Sequence, residues 1–453
     1  MSGALRTLRD ALARREISAR AAVERSLAAI ARRDPALCAF LTVAADSARA
    51  AADALDARPD LAGPLHGVPV AIKDLADTAG IRTTYGSTLY RDHVPDADDA
   101  VVARLKRAGA VIVGKTMTPE FGFGAVCVND LAGPTRNPFD PALTSGGSSG
   151  GAAVAVATGM VPLAHGTDFG GSVRTPASFC GVAALRPTPG RLPNPGRALG
   201  WDMLSTAGFI AGGADDLALA LEATAGPDPR DPLSTRDFPA EIPAHAPRVA
   251  WTEDFGVAAV AEAVRAPFRA AVAKIDAAFG ARPAHPDCAM AIETFHTLRP
   301  PLIRQAYADH YRTHGDALTR TVRWWIERGA ETKAADWLAA EAERTALYRR
   351  FLAFFESWDA LVAPAAAVLP WPNEAGDVVE IDGVALPTLI DYLAVTFVVS
   401  LVGCPVVVLP VGRSAGGLPV GIQLIGAPGK DTALLALAAR IEEACGFRRI
   451  EPP

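Results

Sequence analysis

Two serines stand in separate glycine-rich segments between residues 144 and 190, and a run of small residues joins them. Ser148 lies in GGSSGG, Ser172 lies in GTDFGGSVR, and the intervening AAVAVATG predicts a helix without bulky side chains. Glycine allows backbone N–H groups to come close to a reacting atom. A serine hydroxyl is a weak nucleophile until a base takes its proton. No histidine is placed by motif to activate either serine, so the base must come from another part of the chain.

The composition is typical of a soluble globular enzyme with many turns. The 453 residues are 50% hydrophobic and 21% charged, with 40 glycines and 36 prolines, which excludes a disordered or collagen-like chain. The net charge of −6 comes without a concentrated run of lysine or arginine, so the chain lacks a basic surface for nucleic acid or an anionic membrane. We therefore expect a small-molecule substrate, no nucleic-acid partner and no membrane partner.

The cysteines and histidines give no sign of a metal centre. The six cysteines are scattered without CxxC pairs, and the eight histidines show no ligand spacing such as HExxH. These patterns predict reduced thiols, no metal and no cofactor. The amino-terminal residues lack the apolar core and cleavage site of a secretory signal, so the expected location is cytoplasmic.

One uncharged stretch, residues 392–412, approaches the length of a membrane-spanning helix. Gly403, Pro405 and Pro410 interrupt any continuous helix in it. The β-branched run CPVVVLPV is typical of a fully buried strand. We interpret the stretch as a buried helix followed by a core strand.

Strand and helix patterns alternate along most of the chain. Residues 1–58 predict an N-terminal region of amphipathic helices, residues 63–225 a catalytic core, and residues 285–355 an aromatic helical excursion near the pocket. The repeated strand, helix, strand order predicts an α/β fold, with helices on both faces of a central mixed, mostly parallel sheet. No repeat or low-complexity linker divides the chain, so we expect residues 1–453 to form a single compact domain.

These motifs resemble the amidase signature family over nearly the full chain. GGSSGG, GTDFGGSVR, PASFCG and LRPTPGR stand in that family's order, GPLHGVPVAIKD resembles its lysine motif, and LPVGIQLIG lies near the end. The resemblance implies the amidase-signature fold and a Ser-cisSer-Lys triad. In this sequence Ser172 would be the nucleophile, Ser148 the bridging serine with a cis peptide bond, and Lys73 the base. Family habit indicates a monomer or a homodimer.

The context of Lys73 is consistent with this role. A lysine with an ordinary pKa of about 10.4 acts as a base near neutrality only if burial or dipoles favour the neutral amine. Lys73 follows the apolar run VPVAI, where it could be desolvated. We predict that Asp74 points away, because successive side chains of an extended segment face opposite sides. Lys73 would then draw a proton from Ser172 through Ser148, and the relay would return it to the leaving nitrogen.

The resemblance also implies roles for the residues around the two serines. Ser149 is expected to support the bridging serine, and Asp168 and Arg174 to hold the second loop by structural hydrogen bonds. The oxyanion hole would consist of the backbone N–H groups of Phe169, Gly170, Gly171 and Ser172.

The expected activity is hydrolysis of an amide C–N bond through an acyl-enzyme, and three residues are candidates for the substrate pocket: Phe123, Trp201 and Met203. Aryl ester or carbamate (urethane) hydrolysis is an alternative, because the same acyl-transfer machinery accepts such substrates. A further alternative is the glutamine amidotransferase A subunit of the tRNA-charging complex, which resembles the same family. The GTY-x-LS and YYDAYY-like stretch expected for its glutamine site is absent from ALTRTVRWWIERGAETKAADW. We therefore interpret the chain as lying outside that branch.

Overall fold

The computed structural model describes residues 3–58, 60–235, 238 and 241–453, so residues 1 and 2 of the predicted N-terminal region lie outside it. The helices are α1 Ala4–Ala13, α2 Ala19–Leu37, α3 Ala45–Asp56, α4 Ala100–Arg107, α5 Gly150–Ala157, α6 Arg174–Cys180, α7 Ala214–Thr224, α8 Glu262–Phe279, α9 Ala291–His314, α10 Arg320–Glu331, α11 Ala334–Ser357, α12 Ala394–Leu401 and α13 Asp431–Cys445. The strands are β1 Phe40–Val43, β2 Pro69–Lys73, β3 Val111–Thr116, β4 Val128–Asn129, β5 Gly133–Pro134, β6 Leu163–Asp168, β7 Ala183–Arg186, β8 Thr206–Ala211, β9 Val249–Trp251, β10 Arg282–Pro283, β11 Ala360–Pro364, β12 Glu380–Ile381, β13 Val384–Ala385, β14 Val406–Arg413 and β15 Pro419–Ile425.

Eleven strands of the described residues form one mixed sheet, in the order β1-β3-β2-β6-β8-β7-β14-β15-β11-β9-β10. The predicted α/β fold is confirmed, but the prediction of a mostly parallel sheet is wrong. Six of the ten neighbouring pairs are antiparallel, and four are parallel. The reason is topological: β8 inserts between β6 and β7 and runs antiparallel to both, and β14 and β15 form a hairpin. Strands that follow one another through a helix are therefore not always neighbours.

Alternate residues of the central strands face opposite sides of the sheet. Val70 and Ile72 of β2 belong to one hydrophobic core cluster, whereas Ala71 between them belongs to another, which includes Ala152 and Ala153 of α5. Because side chains two positions apart share a face of a strand, the residue after Ile72 points toward the α5 side. This register brings the end of β2 to the start of α5.

Helix α5 packs closely because its side chains are small. All of its residues are buried, and it contacts β2, β6 and α6. A Cβ atom on Gly151 would lie 2.4 Å from the carbonyl oxygen of Ala39 and 2.5 Å from the amide nitrogen of Met117. Only glycine fits there, so the glycines of this segment set how near the helix comes to the sheet.

Three long helices, α9 to α11, occupy most of residues 285–355. Helix α9 packs against α10, α11 and α12, and the rings of Phe295 on α9 and Phe397 on α12 stack with centroids 4.0 Å apart. The uncharged stretch 392–412 contains the fully buried α12 and then β14, which confirms the interpretation as a buried helix and a core strand. Among the described residues, no helix is long and apolar enough to cross a membrane.

The N-terminal region contains one element that the sequence did not predict. Strand β1 lies between α2 and α3 and pairs antiparallel with β3 at the edge of the sheet. The region therefore contributes to the sheet as well as to its helical covering.

Candidate active site

Lys73 lies at the end of β2 and is fully buried. Its Nζ atom is 2.6 Å from Oγ of Ser148 and 2.9 Å from Oγ of Ser149. A third hydroxyl, Oγ1 of Thr167 on β6, is also 2.9 Å away. The amine is therefore enclosed by three hydroxyl groups, with Ser148 at the shortest distance. The Gly147–Ser148 peptide bond is cis.

The surroundings of Lys73 favour its neutral form. Burial lowers the pKa of its amine to about 7, against weaker opposing effects of Cys127 and Asp168. The neighbouring carboxylate of Asp74 does not contact this amine. It accepts a hydrogen bond of 2.9 Å from the backbone N–H of Thr84 and lies 3.6 Å from Nζ of Lys115. The prediction that Asp74 points away from Lys73 therefore agrees with the geometry, and a substantial fraction of Lys73 is neutral near pH 7.

Ser149 connects the two serine loops. Its backbone N–H donates to the carbonyl oxygen of Ser172 over 3.1 Å, and its Oγ lies 3.2 Å from the carbonyl oxygen of Thr167. Its hydroxyl also faces Lys73. These contacts fix the second loop against the start of α5, in keeping with the supporting role that the family resemblance implied.

Ser172 stands at the wall of a cavity of about 550 Å³ that Ser148 also lines. Its side chain is half-buried, and within the described part of the chain its hydroxyl has no hydrogen-bond partner. This hydroxyl is therefore available to a molecule that enters the cavity. The structure thus places Lys73 and Ser148 in direct contact and brings Ser172 to the same cavity wall.

Asp168 and Arg174 form a buried ion pair beneath the loop of Ser172. Nη2 of Arg174 lies 2.8 Å from Oδ1 of Asp168, and both side chains are inaccessible to solvent. Burial alone would raise the pKa of Asp168, but Arg174 and then Arg186 hold it well below its usual range. The carboxylate also accepts hydrogen bonds from the backbone N–H groups of Gly171 and Val173, at 2.9 and 3.1 Å. The pair therefore fixes the loop from below.

These hydrogen bonds show that one of the four backbone N–H groups predicted to bind the oxyanion is not available. The N–H group of Gly171 is already bonded to Asp168, so it is not free to bind an oxyanion. The N–H groups of Phe169, Gly170 and Ser172 have no partner within the described residues. Gly171 is still required, because its φ is +128° and a Cβ atom there would lie 2.5 Å from Oγ1 of Thr396. Its contribution is the shape of the loop.

Several residues that hold the loop were missed by the sequence analysis. Oγ1 of Thr396 donates to the carbonyl oxygen of Gly170 over 2.6 Å. Arg174 donates to the carbonyl oxygen of Thr396, to Oγ of Ser400 and to Oε1 of Gln423. Two of the missed residues stand in quoted motifs, Gln423 in LPVGIQLIG and Thr167 in GTDFGGSVR. A buried helix was predicted at α12, but nothing in the sequence indicated that Thr396 and Ser400 contact the loop.

The cavity wall comes from the loop before β4, the segment 194–205 and helices α9 and α10. Phe123 lines it, as predicted. Trp201 and Met203 do not line it, and these two pocket predictions are wrong. Trp201 is 75% exposed to solvent, and Met203 faces the Gly403 turn. The chain leaves the cavity after Leu199 and returns to it at Asp202 and Ser205.

Comparison with known proteins agrees with this geometry. The model of the family described as Amidase matches residues 21–435. A curated A subunit of the glutamyl-tRNA(Gln) amidotransferase of Azoarcus sp. is 35% identical, covering 98% of each chain. The AtzE subunit of the 1-carboxybiuret hydrolase of Pseudomonas sp. (strain ADP) is 34% identical, again covering 98% of each chain.

Solved structures align over most of their length. A protein from a vestigial complex related to the origins of an s-triazine catabolic enzyme superposes with a TM-score of 0.90 at 32% identity, covering 99% of each chain. A bacterial aryl acylamidase of the amidase signature family gives 0.88 at 29% identity, with 96% of this chain and 95% of that chain covered. The glutamyl-tRNA(Gln) amidotransferase A subunit of Thermotoga maritima gives 0.76 at 30% identity, with 93% and 91% covered.

The fold and the site are those of an enzyme that cleaves the C–N bond of an amide. The chain belongs to the amidase family. Its curated relatives include amidotransferase subunits together with one hydrolase subunit, at nearly equal identity. The expectation that the chain lies outside the amidotransferase branch is therefore not supported by sequence identity.

Proposed function

We propose that this protein is a serine amidase that hydrolyses small-molecule amides through an acyl-enzyme on Ser172. The observation that carries the proposal is the contact of 2.6 Å between the buried amine of Lys73 and Oγ of Ser148, beside the free hydroxyl of Ser172. A neutral Lys73 accepts the proton of Ser148, which in turn takes the proton of Ser172 as Ser172 attacks the carbonyl carbon.

The same relay completes the reaction. An amine leaves an amide only when its nitrogen is protonated, so Ser148 and Lys73 return the proton to the leaving nitrogen as the C–N bond breaks. Water then attacks the ester on Ser172, again with the relay as base. The free N–H groups of Phe169, Gly170 and Ser172 would stabilise the oxyanion in both steps.

The closer superposition on amide-hydrolysing relatives than on the Thermotoga amidotransferase subunit supports a hydrolase. The lack of the expected glutamine-site motif in residues 317–337 supports it as well. Ester or carbamate hydrolysis lies within the same mechanism. Glutamine-dependent transfer is the second candidate, and the curated relatives of that name favour it.

The test uses a fluorophosphonate probe and a panel of p-nitroanilides, p-nitrophenyl esters and carbamates of graded acyl size. Wild-type protein should label at Ser172 and release p-nitroaniline. Ser172→Ala should abolish labelling and lower amide turnover by about 10⁴-fold or more, while Ser47→Ala at the exposed surface serves as the matched serine control. Persistent labelling of the Ser172→Ala variant would overturn the assignment of the nucleophile.

A second arm separates the two candidate functions. The protein should release little ammonia from glutamine, and added amidotransferase partner subunits should not yield glutamine-dependent transamidation of charged tRNA. Robust transamidation in that mixture would replace the hydrolase proposal with the second candidate.

A further inference from the structure

The wall of the cavity contains an arginine without a counter-ion. Arg299 of α9 is half-buried and lines the cavity, and its Cζ atom lies 3.9 Å from the ring centroid of Trp325. No hydrogen bond or ion pair to it occurs within the described residues, and its Nε atom is buried without a partner. Burial lowers the pKa of its guanidinium to about 9. A cation in this position is costly unless something neutralises it.

Another arginine of the same wall does have a counter-ion. Arg197 also lines the cavity, but its Nη1 atom lies 3.2 Å from the buried carboxylate of Asp231. Arg197 is therefore neutralised by the protein itself. Arg299 is held in place by stacking on an aromatic ring, which orients the guanidinium without using its hydrogen-bond donors.

A tyrosine of the same cavity carries a second unsatisfied donor. Tyr392 lines the same cavity and is only 1% exposed, yet its hydroxyl has no hydrogen-bond partner in the described parts of the chain. Arg299 and Tyr392 are close enough to interact electrostatically. The buried hydroxyl and the half-buried guanidinium, neither of which has a hydrogen-bond partner among the described residues, form a donor set that suits an anionic oxygen group.

The charge of the rest of the wall limits which anion fits. Asp377 lines the cavity and interacts electrostatically with Tyr392, but within the described residues it forms no ion pair with Arg299. Three more acidic residues line the cavity: Asp77, Asp99 and Asp202. A dianion such as a phosphate ester would meet this negative surface, and among the described residues of the wall only Arg299 is an arginine without an ion pair. A single carboxylate matches one guanidinium and one hydroxyl.

We propose that the substrate carries a carboxylate, and that Arg299 and Tyr392 bind it while Ser172 attacks the amide. The ring centroid of Phe169, at the start of the Ser172 loop, lies 5.8 Å from Cζ of Arg299. The carboxylate is therefore separated from the scissile amide by a short spacer. This inference rests on the proposed amide hydrolysis and names the class of its substrate.

The test measures binding without turnover, in the Ser172→Ala background. Calorimetry compares the half-amides of malonic, succinic and glutaric acid with the corresponding neutral diamides. At least one half-amide should bind roughly 10- to 100-fold more tightly than its diamide, as expected for hydrogen bonds to a charged group. Arg299→Met should abolish the difference, Arg299→Lys should restore part of it, and Tyr392→Phe should reduce it.

Arg328→Met is the matched control, because Arg328 stacks on Trp324 outside the cavity, and it should keep the full preference. Equal affinities of half-amides and diamides, no binding at millimolar concentration, or a preference that persists in Arg299→Met would each overturn the inference. Fluorophosphonate labelling of Arg299→Met with Ser172 intact shows separately whether the catalytic centre is formed. Failure of the wild type to label at Ser172, with the carboxylate preference intact, would contradict the proposed function. The binding of a carboxylate by Arg299 and Tyr392 would then still be supported.

Discussion

The two regions around the cavity differ most clearly in their arginines. Arg174, beneath the catalytic loop, donates to Asp168, Ser400 and the carbonyl oxygen of Thr396, at 2.6 to 3.1 Å. Arg299, in the wall formed by α9, stacks on Trp325 and has no hydrogen-bond partner among the described residues. The first arginine is bonded within the protein, whereas the second faces the cavity.

This difference separates the reaction from its specificity. A loop held from below by the ion pair of Asp168 and Arg174 keeps Ser172 and the free N–H groups in one geometry, as acyl transfer requires for every substrate. Unsatisfied donors in a wall acquire partners only when a ligand arrives, and they select that ligand by its charge. We therefore assign the proposed acyl transfer to the loop of Ser172 and the proposed selection of the substrate to the helical wall.

The largest effect is expected within the catalytic region. Lys73→Met removes the base and should lower amide turnover about 10²- to 10⁴-fold, as measured by p-nitroanilide hydrolysis. Lys106→Met, at an exposed lysine paired with Asp98, is the matched control and should retain the parent rate. Turnover of Lys73→Met within a few-fold of the parent would remove lysine from the mechanism.

The next largest effect is expected on the stability of the fold, and it should differ between variants of the two arginines. Arg174→Met leaves the buried carboxylate of Asp168 without its main partner, and should destabilise the fold by about 3–5 kcal/mol. Arg299→Met removes a cation that has no ion-pair partner in the described part of the chain, so no such loss of stability is expected. The midpoints of chemical denaturation measure both. Equal losses of stability in the two variants would contradict the difference inferred between the two regions.

The smallest effect on stability and KM is expected at the edge of the cavity wall. Trp201→Ala should change stability by no more than about 0.5 kcal/mol and leave KM unaltered, because the side chain is 75% exposed and outside the cavity. Phe123→Ala, by contrast, should raise KM. A rise of KM in Trp201→Ala would show that a side chain which the structure places outside the cavity contributes to substrate binding.

The sequence predicted the catalytic region better than it predicted the wall. Ser148, Ser172 and Lys73 lie in motifs that resemble those of the amidase signature family, and that resemblance implied that the three residues act together. Arg299 and Tyr392 lie on helical segments that look like ordinary packing surfaces. Their significance depends on which neighbours lack partners, and that is decided by tertiary contacts.

The fold shows the same division. The buried helix α12 and the core strand β14 were predicted correctly from the uncharged stretch 392–412. The direction of the strands was not, because a strand, helix, strand order does not reveal that β8 inserts between β6 and β7. Pairing between strands distant in sequence is set by the whole sheet and leaves no local pattern.

The central claim is that neutral Lys73 drives acylation of Ser172, and its most direct test is the pH dependence of that step. The acylation rate is measured by rapid-quench labelling between about pH 5 and pH 9, with the Lys73→Met variant in parallel. Because the pKa of Lys73 is lowered to about 7 and only the neutral amine accepts a proton, the wild-type rate should rise through about pH 7 and then level off. The Lys73→Met variant should be slow and lack this step. A wild-type rate that is flat or falls as pH rises would contradict the account.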